Sequence, residues 1–235
     1  AVLLVYLHNG NTRKKTTSGQ VDEIVIEYVY DNWNQLIQYI DTDGTSTDYT
    51  YNGNGERTAK SNNGVTTKYY WDRGYISNET TGTTFTATNY IGPQGVFARA
   101  AQNATNYMFK NGHGDVVSLV NNGTVTQTYD YDAYGNCKSS NSEDTNPFRY
   151  CGEYLDSESE LIYLRNRFYD SKIGRFITED PVQDGVNWYV YAANNPIQYI
   201  DPSGLIITCS VDDSEETLRM LKELTDDKLD FVEYL

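Results

Sequence analysis

The sequence predicts an all-β protein of stacked hairpins with a short C-terminal α-helical tail, and three observations lead to this fold class. Tyr, Thr, Val and Ile alternate with polar residues in runs of four to seven, and Asn, Asp and Gly close each run. Helical periodicity is nearly absent before residue 205. Aromatic residues make up 14% of the 235 residues, with Tyr at 22 positions, a composition typical of a folded chain.

The hairpins can be placed along the chain in order. Residues 24–30 and 124–129 are typical strands, since β-branched and aromatic residues dominate both runs. Residues 41–44, 62–64 and 121–123 are typical turns, because Asn, Asp and Gly tolerate the left-handed backbone that tight hairpins require. The first 205 residues are therefore predicted to form successive antiparallel hairpins.

Aromatic residues recur with a spacing near twenty. Tyr30 and Tyr51 are 21 residues apart, and Trp71 follows Tyr51 after 20. A fixed period of this length indicates repeated strand–turn–strand units, which must stack on one another to bury their faces. We therefore expect these three residues at equivalent positions on one face. Trp33, Trp71 and Trp188 are predicted to pack between units rather than to form a sugar-binding platform.

The last thirty residues differ in composition from the rest. Residues 206–235 lack Gly, Pro and Asn and carry nine acidic against three basic residues. Leucines near helical spacing and Ser214 as an N-cap predict a helix there, which limited proteolysis should trim readily. A short turn or helix is also predicted at 187–195. The Asp-Pro-Ser-Gly-Leu segment at 201–205 is typical of a type I turn and marks the boundary.

From residue 107 onward, specific motifs follow one another in a fixed order. They are YMFKNGHGD at 107–115, YDYDAYG at 129–135, PFRYCG at 147–152, LIYLRNRFYD at 161–170, GRFITEDP at 174–181, YVYAANNP at 189–196 and DPSGL at 201–205. With the Tyr-x-Tyr units before them, these motifs resemble the YD repeats and the Rhs repeat-associated core domain of Rhs-type toxins and insecticidal-complex C proteins. The resemblance divides the chain into YD-repeat hairpins at 1–106, an Rhs core domain at 107–205, and the start of a variable toxin region at 206–235.

The resemblance also implies a function. The hairpins would form part of a spiral shell closed by the core domain, and a toxin segment of the same chain would be encapsulated. Aspartic-type self-cleavage between Leu205 and Ile206 would release that segment. The expected partners are this C-terminal toxin segment, a secretion apparatus, a target cell surface and carbohydrate, and the expected location is secreted or cell-surface. The chain does not begin with Met and is expected to be a fragment of a longer protein.

The catalytic residues that the resemblance implies are Asp180 and Asp201, each followed by proline. Two close carboxyl groups can hydrolyse a peptide when one activates water and the other donates a proton. The motif around Asp201 is complete, whereas the copy at Asp180 lacks the Gly and Leu, so its turn geometry is open. Either aspartate could instead be a turn former alone. Arg167 and Arg175 are candidate supporting residues that could orient a carboxylate, or ordinary solvated or sheet-pairing arginines.

Composition argues against several other functions. A net charge of -15 disfavours nucleic-acid binding by the shell part, and no apolar run is long enough to span a membrane. Three cysteines without C-x-x-C spacing predict neither a metal site nor a disulfide framework, and no cofactor is expected. His113, in a glycine-flanked loop, is predicted to be a turn residue. The remaining alternative is a non-catalytic cell-surface adhesion or carbohydrate-binding repeat.

Overall fold

All strands in the described part of the molecule belong to three antiparallel sheets of thirteen, four and two strands. The computed structural model describes residues 2–18, 23–138, 144–183 and 186–209. The all-β prediction is therefore confirmed over these ranges. The predicted C-terminal helix lies beyond residue 209, outside the described residues.

Helical structure within these ranges is limited to two 3-10 turns, Tyr150–Gly152 and Ala192–Asn194. The second turn lies in the segment 187–195 that was predicted to be a short turn or helix. No helix in this part of the chain combines the length and the apolar character needed to cross a membrane.

The first sheet is an uninterrupted meander in which every strand pairs with its neighbours in sequence. This order follows from the short turns, since each returns the chain beside the strand it has just left. The boundary predicted at 106/107 falls inside the eleventh strand. The strands are β1 Val2–Tyr6, β2 Thr12–Ser18, β3 Glu23–Tyr30, β4 Leu36–Ile40, β5 Ser46–Tyr51, β6 Arg57–Asn62, β7 Val65–Asp72, β8 Tyr75–Thr81, β9 Thr84–Gly92, β10 Gly95–Ala101, β11 Ala104–Lys110, β12 Val116–Asn121 and β13 Thr124–Thr128.

The second sheet is buried between the first sheet and the segment that follows it. Tyr163 and Phe168 of this sheet pack with Tyr28 and Tyr49 of the first sheet in one apolar cluster. Its other side packs against Tyr191 and neighbouring side chains. The four strands are β14 Tyr154–Asp156, β15 Leu161–Leu164, β16 Arg167–Asp170 and β17 Arg175–Phe176, and the third sheet pairs β18 Tyr199–Ile200 with β19 Thr208–Cys209.

The aromatic period corresponds to a repeated hydrogen bond. Tyr30, Tyr51 and Trp71 each stand at a register shift near the end of an odd-numbered strand. Each donates a hydrogen bond of 2.7–2.8 Å to the carbonyl of the residue that opens the preceding even-numbered strand, respectively Thr12, Leu36 and Arg57. All three pack against the same cluster. The expected equivalence of these positions on one face is therefore confirmed.

The prediction for the tryptophans is wrong at Trp33. Trp71 packs between units as expected, and Trp188 is half-buried. Trp33 is 79% exposed, because it occupies the tip of the turn between β3 and β4 and lies outside both sheet faces.

Asp and Asn side chains close the longer turns of the repeat. Oδ1 of Asp31 accepts hydrogen bonds of 2.9 Å from the amides two and four residues further along. Asn52, Asn111 and Asp132 form the same pair of bonds in their own turns. A short side chain with a carbonyl or carboxylate oxygen is therefore sufficient at the first position, as expected for Asx turns.

A buried ion pair joins the first sheet to the second. Arg57 and Asp156 are fully buried and form a salt bridge, and Lys60 Nζ lies 3.3 Å from the other carboxylate oxygen. Burial works to raise the pKa of Asp156, but the charges of Arg57 and Lys60 hold that pKa below its ordinary value. The guanidinium lies against five aromatic rings, those of Tyr49, Tyr69, Tyr154, Tyr163 and Phe168.

Candidate functional site

The turn between β15 and β16 holds the loop of residues 201–205 in place. Arg165 donates from Nη1 to the Pro202 carbonyl. Asn166 donates from its amide and from Nδ2, at 3.3 and 3.0 Å, to the Ser203 carbonyl. Arg167 Nε donates to the next carbonyl, of Gly204. Three consecutive residues of one turn thus bind three consecutive carbonyls of the loop.

Gly204 is required by this close approach. Its φ is +72°, in the left-handed region that favours glycine. A Cβ at this position would lie 2.8 Å from the Leu164 carbonyl oxygen and 3.0 Å from the Arg167 nitrogen, both backbone atoms. The glycine of the Asp-Pro-Ser-Gly-Leu motif therefore lets the loop contact the turn.

Asp201 binds the peptide bond that follows the motif. The side chain is buried, and its Oδ1 accepts hydrogen bonds from the Leu205 amide at 3.0 Å and the Ile206 amide at 3.1 Å. Ser203 Oγ lies 3.2 Å from both amide nitrogens. Burial raises the pKa of Asp201 to about 6, against the opposing effects of Arg167 and the backbone amides.

Asp180 also begins a turn despite its incomplete motif, and this turn shares the left-handed fourth residue of the turn at Asp201. Its Oδ1 accepts a hydrogen bond from the Val182 amide at 2.9 Å, and its carbonyl accepts one from the Gln183 amide at 3.0 Å. Gln183 has a φ of 54°, so a non-glycine residue adopts the left-handed conformation that Gly204 adopts three residues after Asp201. The backbone keeps the left-handed residue of this turn although the sequence has lost the glycine.

Arg167 brings the two aspartates to one place. Its Nη2 lies 3.8 Å from Asp180 Oδ2 and 3.5 Å from Asp201 Oδ2. The guanidinium also stacks on the Phe176 ring at 3.6 Å, and Nη1 donates to the Trp188 carbonyl at 3.0 Å. Burial lowers the pKa of Arg167, while the two carboxylates act in the opposite direction. Each aspartate therefore uses Oδ1 for its own turn and presents Oδ2 to the shared arginine.

Of the catalytic and supporting residues predicted from the sequence, three lie together around the Arg167 guanidinium and one does not. Asp180, Asp201 and Arg167 converge, and the Leu205 and Ile206 amides contact Asp201. Arg175 pairs in β17 with Asp170 and forms no described salt bridge to either catalytic candidate. The direct approach of the two carboxyl groups stays a prediction.

Three residues that take part in holding the loop, Arg165, Asn166 and Ser203, were not singled out from the sequence. Arg165 also pairs with Glu153 at 3.0 Å. The Leu-Arg-Asn-Arg string that contains the first two was noted only as a motif. The polar string between two apolar strands is the signal that could have found them, because such a turn must place its donors outside the sheet.

A different group of side chains could hold a metal ion. His113, Asp115 and Cys151 bring one ligand atom each within 4.8 Å of one another. They lie in the turn after β11 and in the first 3-10 turn.

Comparison with known proteins supplies the family context. Residues 94–197 match the teneurin YD-shell family. The tRNA3(Ser)-specific nuclease WapA of Bacillus spizizenii is 33% identical over 170 residues, which are 66% of this chain and 7% of that protein. Toxin protein Tse5 of Pseudomonas aeruginosa is 46% identical over 63 residues, which are 26% of this chain and 5% of that protein.

The fold is also found among solved structures. The structure of TcdB2-TccC3-TEV matches 87% of this chain and 13% of its own with a TM-score of 0.62 and 18% sequence identity. At this identity the likeness shows the fold, which is the YD-repeat shell fold expected from the sequence. The chain spans less than a tenth of the length of the curated relatives described above.

Proposed function

This chain is a YD/Rhs shell protein, and from that premise we propose that it encapsulates a C-terminal toxin segment and releases it by self-cleavage between Leu205 and Ile206. The observation that carries the proposal is the hydrogen bond from the Ile206 amide to Asp201 Oδ1. In the resting structure the amide donates and the carboxyl oxygen accepts. When water adds to the Leu205 carbonyl carbon, the Ile206 nitrogen becomes pyramidal and gains a basic lone pair, and the buried carboxyl group beside it is then close enough to protonate it.

The proposed reaction uses the two aspartates in different roles. Asp180 takes a proton from water as the water oxygen attacks the Leu205 carbonyl carbon. Asp201 gives its proton to the Ile206 nitrogen as the carbon–nitrogen bond breaks, which leaves a carboxyl group on Leu205 and an amine on Ile206. Arg167 is the positioning residue, since it contacts both carboxylates and binds the Gly204 carbonyl next to the cleaved bond.

The relatives support a toxin as the encapsulated cargo. One is named a tRNA nuclease and another a toxin, and this chain matches only a small part of each. Their shared region is therefore compatible with a common carrier of different activities. An extracellular or cell-surface location, with a secretion apparatus, target surface or carbohydrate as further partners, belongs to the same proposal.

Mass spectrometry of the purified chain over time tests the proposal. We expect a product that ends at Leu205 in the unmutated chain, and intact protein for Asp201→Asn and for Asp180→Asn. Asp31→Asn is the matched control, because Asn52 and Asn111 fill the equivalent turn positions. An intact unmutated chain would favour the non-catalytic adhesion or carbohydrate-binding repeat. If cleavage persists in Asp180→Asn but is lost in Asp201→Asn, this pair is rejected. Asp184, which lies outside the described residues, would then be the next candidate for the second acid.

A further inference from the structure

The turn at residues 111–115 is one of the repeat turns with an added set of ligands. Asn111 Oδ1 accepts hydrogen bonds from the amides of His113 at 3.0 Å and Asp115 at 2.9 Å. Asn111 Nδ2 donates to Asp115 Oδ2 at 2.9 Å. The turn therefore fixes the His113 backbone and the Asp115 carboxylate before any ligand binds.

Cys151 is brought to this turn by an unusual backbone conformation. Its φ is 52° and its ψ is 15°, a left-handed conformation inside the first 3-10 turn. The Cys151 amide donates to Asp115 Oδ1 at 2.9 Å, and Sγ lies 3.8 Å from His113 Nδ1. Strained backbone of this kind is concentrated at functional sites, where the surrounding contacts must maintain it.

These three side chains have the donor atoms and spacing of a zinc site. His113 Nδ1 lies 2.9 Å from Asp115 Oδ1, and all three ligand atoms lie within 4.8 Å of one another. Tetrahedral zinc with bonds of about 2.0–2.3 Å to nitrogen, oxygen and sulfur separates its ligand atoms by roughly 3.3–3.6 Å. The Nδ1–Oδ1 separation of 2.9 Å is shorter than this range, and the Nδ1–Sγ separation of 3.8 Å is longer. Small side-chain movements would bring the three ligand atoms to the distances that zinc requires.

The surroundings of the imidazole favour metal binding through Nδ1. The Nε2 atom is buried and has no hydrogen-bond partner in the described part of the chain. Nδ1 lies 2.9 Å from Asp115 Oδ1 and 3.8 Å from Cys151 Sγ. Nδ1 is therefore the ring nitrogen that faces both other ligand atoms, and the Asp115 carboxylate would stabilise a cation held among the three.

We propose that His113 Nδ1, a carboxylate oxygen of Asp115 and Cys151 Sγ bind a zinc ion whose fourth position faces the adjoining cavity. That cavity has a volume of about 380 Å³ and is lined in part by His113, Asp115, Tyr131 and Tyr150. Three protein ligands with one open position is a known zinc arrangement. The site does not depend on Asp180 or Asp201 and is independent of the proposed self-cleavage.

The zinc ion would connect two parts of the fold. Asp115 immediately precedes β12 of the first sheet, whereas Cys151 lies three residues before β14 of the second sheet. The ligands are 38 residues apart at their extremes, which explains why C-x-x-C spacing gave no signal of a metal. Metal binding by a folded site stabilises the fold, so zinc would hold the core segment against the hairpin sheet.

Two measurements on the full chain test the proposal. The first is a titration with zinc chloride monitored by calorimetry, and the second is absorption spectroscopy with cobalt(II) in place of zinc. We expect one zinc ion per chain and, with cobalt, a thiolate-to-metal charge-transfer band. Cys151→Ser and His113→Gln should each weaken zinc binding by at least about tenfold. Cys137→Ser, Cys209→Ser and His8→Gln are matched controls that lie outside the ligand group and should bind as the unmutated chain does.

A measurement on the unmutated chain covers the case in which a variant fails to fold. Zinc should slow the alkylation of Cys151 by iodoacetamide at least about tenfold, and leave Cys137 and Cys209 unchanged. The proposal is overturned if zinc does not bind at one per chain, if the cobalt complex lacks the thiolate band, or if Cys151→Ser binds zinc unchanged. In those cases His113 and Asp115 form only a hydrogen-bonded pair.

Discussion

The Ile206 amide donates a hydrogen bond of 3.1 Å to Oδ1 of Asp201, whose pKa burial raises to about 6. A carboxyl group that is partly protonated near neutral pH thus lies on the nitrogen that must gain a proton when the Leu205–Ile206 bond breaks. This pairing makes the proposed chemistry dependent on pH in a definite direction.

Cleavage after Leu205 should become faster as the pH is lowered through about 6, because only the protonated form of Asp201 can donate a proton. Above that pH the rate should fall about tenfold for each pH unit. The measurement is a mass-spectrometric time course at several pH values, with Asp31→Asn as a control that should keep the same profile. A rate that increases with pH would assign Asp201 the role of base instead.

The same raised pKa predicts how stability changes with pH. The folded-state pKa of Asp201 lies above its unfolded value of 3.8, so its stabilising contribution is complete below that value and is lost as the pH rises through about 6. Asp201→Asn has no such dependence. The two proteins are compared in an Asp180→Asn background, which is expected to prevent cleavage in both. Across this pH interval, the free energy of unfolding of the Asp201→Asn variant should increase by up to about 3 kcal/mol relative to that of the protein that keeps Asp201. Urea unfolding at pH values on both sides of the interval measures it, and a constant difference would contradict it.

The two Asp-Pro turns should respond oppositely to substitution at their left-handed residue. Gly204→Ala places a Cβ 2.8 Å from the Leu164 carbonyl oxygen and should destabilise the fold by about 1–3 kcal/mol. Gln183→Gly relieves a φ of 54° and should stabilise it by up to about 1 kcal/mol. Thermal unfolding of the two variants checks both signs. Destabilisation by Gln183→Gly would mean that the Gln183 side chain contributes more than the backbone strain removes.

The buried pair of Arg57 and Asp156 should behave as a unit. Arg57→Met leaves the buried Asp156 carboxylate with only the longer contact to Lys60 and should cost about 3–5 kcal/mol. The double variant Arg57→Met/Asp156→Leu should recover most of that loss, since Lys60 retains Glu158 at 2.6 Å. Urea denaturation measures both. Arg73→Met is the exposed-pair control and should change stability by less than about 0.5 kcal/mol; equal effects of Arg73→Met and Arg57→Met would refute the argument.

The repeat could be predicted from the sequence because its determinants are local. Tyr30, Tyr51 and Trp71 recur at a fixed spacing, and the Asn, Asp and Gly residues that close the turns are neighbours in sequence. The exposure of Trp33 was missed because a tip position depends on turn length as well as on residue type.

Contacts between distant segments could not be predicted in the same way. The carbonyls of residues 202–204 meet Arg165, Asn166 and Arg167 across 37 residues. Cys151 meets His113 across 38 residues. Neither separation has a periodicity that the sequence shows, and each depends on how the second sheet packs against the first. The sequence shows which polar and ionisable residues are present, but their contacts are determined by the tertiary fold.

The start of the C-terminal region provides a final prediction. The sequence predicts that residues 206–235 are trimmed readily and the body is left intact, because the tail is charged and terminal. In the structure, Ile207 and Cys209 pack against the apolar cluster that contains Tyr191, and Thr208–Cys209 pairs with Tyr199–Ile200. Paired and packed backbone resists proteases, so digestion should stop after residue 209 instead of after 205.

The chain for this experiment is Asp201→Asn, in which the proposed self-cleavage would not generate an end at Leu205. Limited digestion with a protease of broad specificity, followed by intact-mass measurement, should yield a body that retains residues 206–209. Ile207→Asp in the same background removes the apolar contact and should move the end of the body back toward Leu205. A body that ends at Leu205 even without Ile207→Asp would show that the short strand does not hold this segment. If it does hold, the proposed cleavage in the unmutated chain would free the segment from Leu205 covalently but would not by itself detach it. The segment that starts at Ile206 should then stay with the body on size-exclusion chromatography until denaturant separates them, because cutting the peptide bond leaves the strand pairing intact.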